Sequence, residues 1–297
     1  MRQLILVFNQ NPGSNPAGVL YIVATPIGNL DDLSLRALEV LRNVDIIAAE
    51  DTRHSKQLLT AHNISASLIS CHDYNEEGRA ANFIKKLSSG VNIALISDAG
   101  TPLISDPGYR LVKAAHKQGV KVVPVPGACA AIAALSAAGL ASDKFTFEGF
   151  LPSKSLTRIH QLQTLAFEPR TMIFYEAPHR VLASLQDMVE IFGEQRPVTL
   201  ARELTKKFET IRLDTLLSLA EWVGEDSDQQ RGEIVLVVSG FEKTNDDDLS
   251  VEEKKTMGVL LAELPLSQAA SIGAKLLGTN KKMLYNYGLS KKNDVPK

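Results

Sequence analysis

Ser97-Asp98-Ala99-Gly100-Thr101-Pro102-Leu103-Ile104-Ser105-Asp106-Pro107-Gly108 is the stretch on which the fold turns. The apolar run Val91 to Ile96 leads into it. A helical pattern leaves it, with Leu111, Val112, Ala114 and Ala115 on one side and Gly119 as its stop. The order is therefore strand, loop, helix. In an open α/β sheet, ligands sit beyond the carboxyl ends of the strands, where such loops lie. An ordinary strand-to-helix connection needs only about 2–6 residues, and this one is longer. Pro102 and Pro107 fix φ and remove two N–H donors, while Gly100 and Gly108 let a ligand approach the backbone. Asp98 and Asp106 add charge that a plain turn does not require.

Toward the N-terminus, Leu20 to Ala24 reads as a buried strand that runs into Thr25-Pro26-Ile27-Gly28-Asn29-Leu30. Asp31, Asp32 and Ser34 offer caps for a helix carrying Leu35, Leu38 and Leu41. Pro26 stands where a GxGxxG loop needs glycine, so a dinucleotide site is not indicated. Val44 to Ala49 is a second strand and ends in Glu50-Asp51-Thr52-Arg53-His54-Ser55. That run reads either as a cap by Asp51 or Thr52 or as a polar substrate loop at the same sheet edge. Ala66 to Cys71 is a third strand, followed by His72 and a helix over about Gly78 to Leu87. His72 reads as a surface or capping residue before it reads as a ligand or base.

Past the central loop, Val120 to Val125 is a strand, Pro126-Gly127 a turn, and Ala128 to Ala138 a helix of small residues. Cys129 at its start reads as a packed small residue more readily than as a nucleophile. Strand alternates with helix throughout, which predicts βαβ units and a largely parallel sheet over residues 18–126, behind a disordered leader, 1–17.

A second α/β domain is expected over residues 127–242. Its first strand, Phe145 to Phe147, ends in Glu148-Gly149-Phe150-Leu151-Pro152. Ser153 to Arg158 follows, either as a helix start capped by Ser155 or as a phosphate contact through Lys154 and Arg158. Thr171 to Tyr175 is the next strand and ends in Glu176-Ala177-Pro178-His179-Arg180, the densest polar constellation in the chain. Val198 to Ala201 leads to Arg202-Glu203-Leu204-Thr205-Lys206. A helix is expected around Leu213 to Trp222, then a last strand, Ile234 to Val238. Asp246-Asp247-Asp248 marks a boundary before a helical module, 250–297, with a helix-turn-helix pattern from Ser267. From Leu266 onward six lysines face one acidic residue, Asp294, so this module is a candidate RNA contact although the whole chain carries a net charge of −2.

The 297 residues suffice for two domains, and 44% hydrophobic with 22% charged residues is ordinary for a globular protein. Two distant cysteines, Cys71 and Cys129, exclude a disulfide framework or a structural zinc site. No apolar run is long enough for a membrane span. The expected compartment is the cytoplasm, with no membrane partner.

Seven segments taken together, ATPIGNLDDLSLRA, AAEDTRHS, ISDAGTPLISDPG, VPGACAA, EGFLPSK, FYEAPHR and ARELTKKFE, resemble the tetrapyrrole-methylase-like S-adenosylmethionine methyltransferases. Within that class they are most similar to the bacterial branch that methylates ribose 2′-hydroxyls in small-subunit ribosomal RNA. The resemblance implies two α/β domains with the cofactor cleft between them, a homodimer, and action on a cytidine of 16S ribosomal RNA. S-adenosylmethionine would be the cofactor and S-adenosylhomocysteine the product, with no metal. The family's opening G-x-G-P-G loop survives here only as Gly28. Its G-D-P cofactor loop falls on Gly100-Thr101-Pro102, where Thr101 replaces the usual Asp and Asp98 supplies the carboxylate. Carried over in this way, the cofactor residues are Ile27, Gly100, Thr101, Pro102, Ile104, Gly127, Cys129, Ala130, Tyr175 and Leu204. The candidates for catalysis are Glu176, His179 and Asp98. Glu50, Asp51, Arg53, Lys154, Arg180 and Arg202 are the candidates for holding RNA. Two rivals stand beside this reading: a methylase of a tetrapyrrole or corrin precursor, and a non-catalytic RNA-binding factor.

Overall fold

A computed structural model describes residues 17–71, 76–242 and 249–293. The expected leader up to Pro16, His72, Asp246 to Asp248 and Asp294 lie outside the described residues. Residues through Gly240 form one compact unit and Phe241–Lys297 a second.

The first unit begins with alternating strands and helices: β1 (Val19–Val23), α1 (Leu35–Asn43), β2 (Ile46–Ala49), α2 (Thr52–Ala61), β3 (Ser67–Ser70), α3 (Glu76–Ser88), β4 (Ile93–Ile96), α4 (Tyr109–Lys117) and β5 (Lys121–Val125). The five strands pair in the order β3-β2-β4-β1-β5, every pair parallel. A parallel sheet is covered on both faces, and this one is. Val19, Tyr21 and Val23 pack with Leu41 and Leu59 on one side; Leu20, Ile93 and Leu95 pack with Phe83, Leu87 and Leu111 on the other. Ser34 caps α1 by accepting from Ala37 N, whereas Asp31 and Asp32 form a separate 3-10 turn capped by Asn29. Asp51, rather than Thr52, caps α2.

The second sheet of the same unit is built from α5 (Ala130–Ala137), β6 (Phe145–Phe150), α6 (Ser155–Leu165), β7 (Thr171–Glu176), α7 (Val181–Phe192), β8 (Pro197–Arg202), β9 (Thr210–Thr215), α8 (Leu216–Glu225) and β10 (Ile234–Val238). The strand order is β6-β7-β10-β8-β9. Only β6 and β7 run parallel; the other pairs are antiparallel. Alternation sorts the faces: Ile173, Val235 and Val237 pack on α5, while Met172, Phe174 and Leu236 pack on residues of α6, α7 and α8.

Three expectations are corrected here. Leu213 belongs to β9 and the helix starts only at Leu216, because the run is an edge strand whose exposed face is apolar. Ser155 is the first helical residue of α6, not its cap, which is Lys154. Arg158 is not free for phosphate: it is buried, and its Nε donates to Asp187 Oδ2 at 2.6 Å.

The second unit holds α9 (Val251–Glu263), α10 (Leu266–Leu277) and α11 (Lys281–Asn293) around Leu249, Met257, Ala269, Ala270 and Leu284. A capping box between Ser250 and Glu253 starts α9, and left-handed Gly278 ends α10. The short link to α11 gives a helix-turn-helix pair.

Candidate active site

Strand ends from both sheets of the first unit converge on one cleft of about 420 Å³. The first sheet contributes Ile27 beyond β1, Glu50 beyond β2, and Asp98, Ala99, Gly100, Thr101, Ile104, Ser105 and Asp106 from the long loop after β4. Cys129 and Ala130 come from the start of α5. The second sheet contributes Phe150, Tyr175, Glu176, Ala177, Pro178, Ala201, Leu204, Gly232, Glu233, Ile234 and Val235.

The loop 97–108 is rigid for identifiable reasons. Gly100 and Thr25 exchange backbone hydrogen bonds at 2.8 and 3.1 Å, which ties this loop to the one after β1. Thr101 Oγ1 donates to Ala128 O at 2.9 Å, tying it to the start of α5. Asp98 Oδ1 accepts from Asp51 N at 3.0 Å, tying it to α2. Leu103 and Ser105 both have positive φ, 73° and 67°. A bulky residue there is strained, and such strain collects at functional sites. Glu203 and Thr205, across the cleft after β8, have positive φ as well.

On the facing side, Tyr175 is central. Its hydroxyl oxygen accepts from Ala131 N at 3.2 Å, satisfying a donor at the start of α5. Phe147 and Phe150 meet its ring edge-on, with centroids 4.9 and 5.5 Å away. Burial, helped by the neighbouring Cys129, pushes its phenol up to about 12. A β-bulge between Phe147 and Gly149 sets this aromatic cluster. Phe150 is left 53% exposed at the cleft's rim.

Glu176 is buried at the end of β7, and both its oxygens are occupied. Oε1 accepts from Ala177 N at 2.7 Å and from Arg180 Nε; Oε2 accepts from Ser184 Oγ at 2.5 Å. Asp106 has its carboxyl pushed above the ordinary 3.8, chiefly by burial and further by the charge of Asp98, against a hydrogen bond with Ser97.

Of the residues singled out from sequence, Ile27, Glu50, Asp98, Gly100, Thr101, Ile104, Cys129, Ala130, Tyr175, Glu176 and Leu204 line the cleft. Pro102 is buried beneath its loop, and Gly127 lies against Ala24, where a Cβ would come within 2.9 Å of the Ala24 Cβ. His179 is exposed and outside the lining, and Arg180 is turned into the pair with Glu176. Arg53 is exposed and pairs with Asp51 at 3.0 Å; Lys154 is exposed at the start of α6. Arg202 is buried, donating to Thr210 Oγ1 at 3.2 Å and Arg231 O at 3.5 Å. Sequence reasoning missed Phe150, Asp106, Gly232 and Glu233 as lining residues. Gly232 has a φ of +78°, and a Cβ there would run into the Glu203 carboxylate, a constraint visible only in the structure.

The chemistry of this lining fits the cofactor that the motifs imply. Among the described lining residues five are acidic and none is lysine or arginine. Such a wall suits a cationic ligand with sugar hydroxyls and opposes a pyrophosphate. Apolar Ile27, Ile104 and Leu204 and the backbone of Gly100 and Thr101 supply the remaining contacts.

The family described as Tetrapyrrole (Corrin/Porphyrin) Methylases matches residues 19–220, and the RsmI C-terminal HTH domain matches residues 247–292. Proteins named Ribosomal RNA small subunit methyltransferase I are similar over nearly the whole chain. The one from Pseudomonas aeruginosa is 54% identical over 93% of this chain and 98% of its own. The one from Escherichia coli O157:H7 is 54% identical over 93% and 96%, and that of Buchnera aphidicola 45% over 92% and 97%. Among solved structures, uroporphyrin-III-C-methyltransferase from Thermus thermophilus shares the fold with a TM-score of 0.54 at 22% identity, over 75% of this chain and 94% of that one. Diphthine synthase does so at 0.55 and 13%, over 75% and 90%. With its two sheets, its cleft and a match running from β1 into α8, this chain belongs to the tetrapyrrole (corrin/porphyrin) methylase family.

Proposed function

We propose that this protein is an S-adenosylmethionine-dependent methyltransferase of 16S ribosomal RNA that methylates a cytidine ribose at its 2′-hydroxyl. The observation that carries the reading is the identity above 50% to small-subunit ribosomal RNA methyltransferases over 93% of the chain. An acidic, cation-free lining supports the cofactor.

Residues 18–126 and 127–242 act as two α/β domains around that cleft. Gly100, Thr101, Ile27, Ile104 and Leu204 hold the cofactor, and Tyr175 fixes the start of α5 beside it. The bound cofactor supplies a methyl group already activated by a positive sulfur. The protein aligns the hydroxyl and excludes water, and alignment alone can account for much of the acceleration. The hydroxyl also loses a proton, which a carboxylate of the cleft accepts. Of the three candidates from sequence, Glu176 is committed to three donors, His179 lies outside the lining, and Asp98 lines the cleft while its Oδ1 holds the Asp51 amide. Arg53 and Lys154, both exposed, serve the RNA backbone.

The C-terminal unit adds a second RNA contact. Lys275, Lys281, Lys282 and Lys291 are exposed on α10 and α11. The protein acts in the cytoplasm as a homodimer, a state consistent with Ile211 and Leu213 exposed on the edge strand β9.

The test is methyl transfer from labelled S-adenosylmethionine to small ribosomal subunits from a strain lacking the protein. Label in the 2′-O position of one cytidine is expected. Absence of transfer to the subunits, or transfer to a corrin or porphyrin precursor instead, overturns the reading.

A further inference from the structure

Two carboxylates project into the cleft from the loop after β4, and they are not equivalent. Asp98 Oδ1 already accepts from Asp51 N and so anchors the start of α2. Asp106 lies eight residues on, past the strained Leu103 and Ser105. Its segment touches the other sheet: a Cβ on Gly149 would lie 3.6 Å from Ser105 Oγ. Asp106 thus stands where the cofactor loop meets the wall formed by Tyr175 and Phe150. Phe150 presents an exposed ring at that rim, the kind of platform on which an unstacked base rests.

We propose that Asp106 is the catalytic residue that accepts the proton of the ribose hydroxyl. The oxygen's lone pair forms the new bond to the methyl carbon, the old carbon–sulfur bond breaks with its pair going to sulfur, and the proton goes to the Asp106 carboxylate. The resulting carboxylic acid returns the proton to water at the open rim. The proposal rests on the reading of the chain as a ribose methyltransferase.

The surroundings favour this assignment. The ionisable groups lining the cleft around Asp106 are Asp98 on its own loop, Glu50 beyond β2, Cys129 at the start of α5, Tyr175 and Glu176 on β7, and Glu233 before β10. No lysine or arginine is among the described lining residues. Burial outweighs the hydrogen bond with Ser97 and, with the charge of Asp98, raises the proton affinity of Asp106, as a general base requires.

The experiment measures single-turnover methyl transfer to small subunits against pH, with cofactor affinity by calorimetry. Wild-type rate should fall on the acid side through a carboxyl titrating above the ordinary 3.8. Asp106→Asn should bind the cofactor within about threefold of wild type, lose about 10²- to 10⁴-fold in rate, and show no acid-side fall. Asp106→Glu should recover part of the rate together with the fall. The proposal is overturned if the wild-type rate is flat on its acid side, if Asp106→Asn keeps its rate, or if its cofactor affinity collapses. Wild-type protein that transfers nothing to the subunits sinks the functional reading itself. Active wild type beside active Asp106→Asn sinks only the role of Asp106.

Discussion

Replacing Glu176 by alanine should unfold the protein more readily rather than merely silence it. The carboxylate has no side-chain exposure and its partner Arg180 only 18%. Ser184, whose hydroxyl donates to Oε2, is also fully buried. The substitution leaves a guanidinium facing a void, a buried hydroxyl without its acceptor and the Ala177 amide unpaired. Removing one partner of a buried ion pair costs about 3–5 kcal/mol. On a unit of this size each kcal/mol moves the thermal midpoint by about 2–4 °C. The midpoint should therefore drop by roughly 6–20 °C, and urea unfolding followed by circular dichroism should give the free energy directly. The pair also predicts non-additivity: adding Arg180→Ala should return about 0.5–3 kcal/mol. A Glu176→Ala protein within about 1 kcal/mol of wild type, yet without turnover, would refute the argument and make Glu176 a chemical group after all.

Three further outcomes are expected. Tyr175→Phe deprives the Ala131 amide of its acceptor and should cost about 1 kcal/mol in urea unfolding; the phenol, pushed up to about 12, should be missing from the high-pH end of an ultraviolet titration of the variant. Gly28→Ala places a Cβ 2.5 Å from Lys206 Cγ and 2.7 Å from Thr205 Oγ1, which parts the loops after β1 and β8; calorimetry should show cofactor affinity down by about tenfold, equivalent to about 1.4 kcal/mol. Asp51 is lowered from 3.8 to about 2 by its hydrogen bonds with Arg53. A depressed carboxyl stabilises the fold fully above its unfolded value of 3.8 and loses that contribution as pH falls through about 2; carbon NMR of the Asp51 carboxyl should place its midpoint there, and a midpoint near 3.8 would contradict the pairing.

The parallel half of the fold was legible because periodicity and turn chemistry agree there. Short runs rich in apolar residues alternate with helical patterns, and Ser34 and Asp51 cap the first two helices as their positions suggest. The motif-bearing loops also met where expected, since strand ends in an open sheet converge. What stayed hidden depends on long-range contact. β9 places Ile211 and Leu213 on its exposed face, so its apolar residues point to no core. Arg158 is silent in sequence because its partner Asp187 lies 29 residues away on another helix. Glu176 looked like a base because nothing local shows that Ser184 and Arg180 turn back to it. Asp106 stood out in sequence only as surplus charge on its loop, because nothing local shows that its carboxyl is partly buried.

The bulge in β6 makes residue count, more than residue identity, a determinant of this cleft. With Phe147 opposite Ile173 and Phe150 opposite Tyr175, both phenylalanines fall on one face although three positions separate them. An unbroken strand would put an odd spacing on opposite faces. Drawing Glu148, a residue outside the cleft's lining, into the ladder as an ordinary strand residue would turn either Phe147 or Phe150 away from Tyr175, whereas deleting it would leave the two an even two positions apart and still on one face. The rim is aromatic because the bulge takes one residue out of the count.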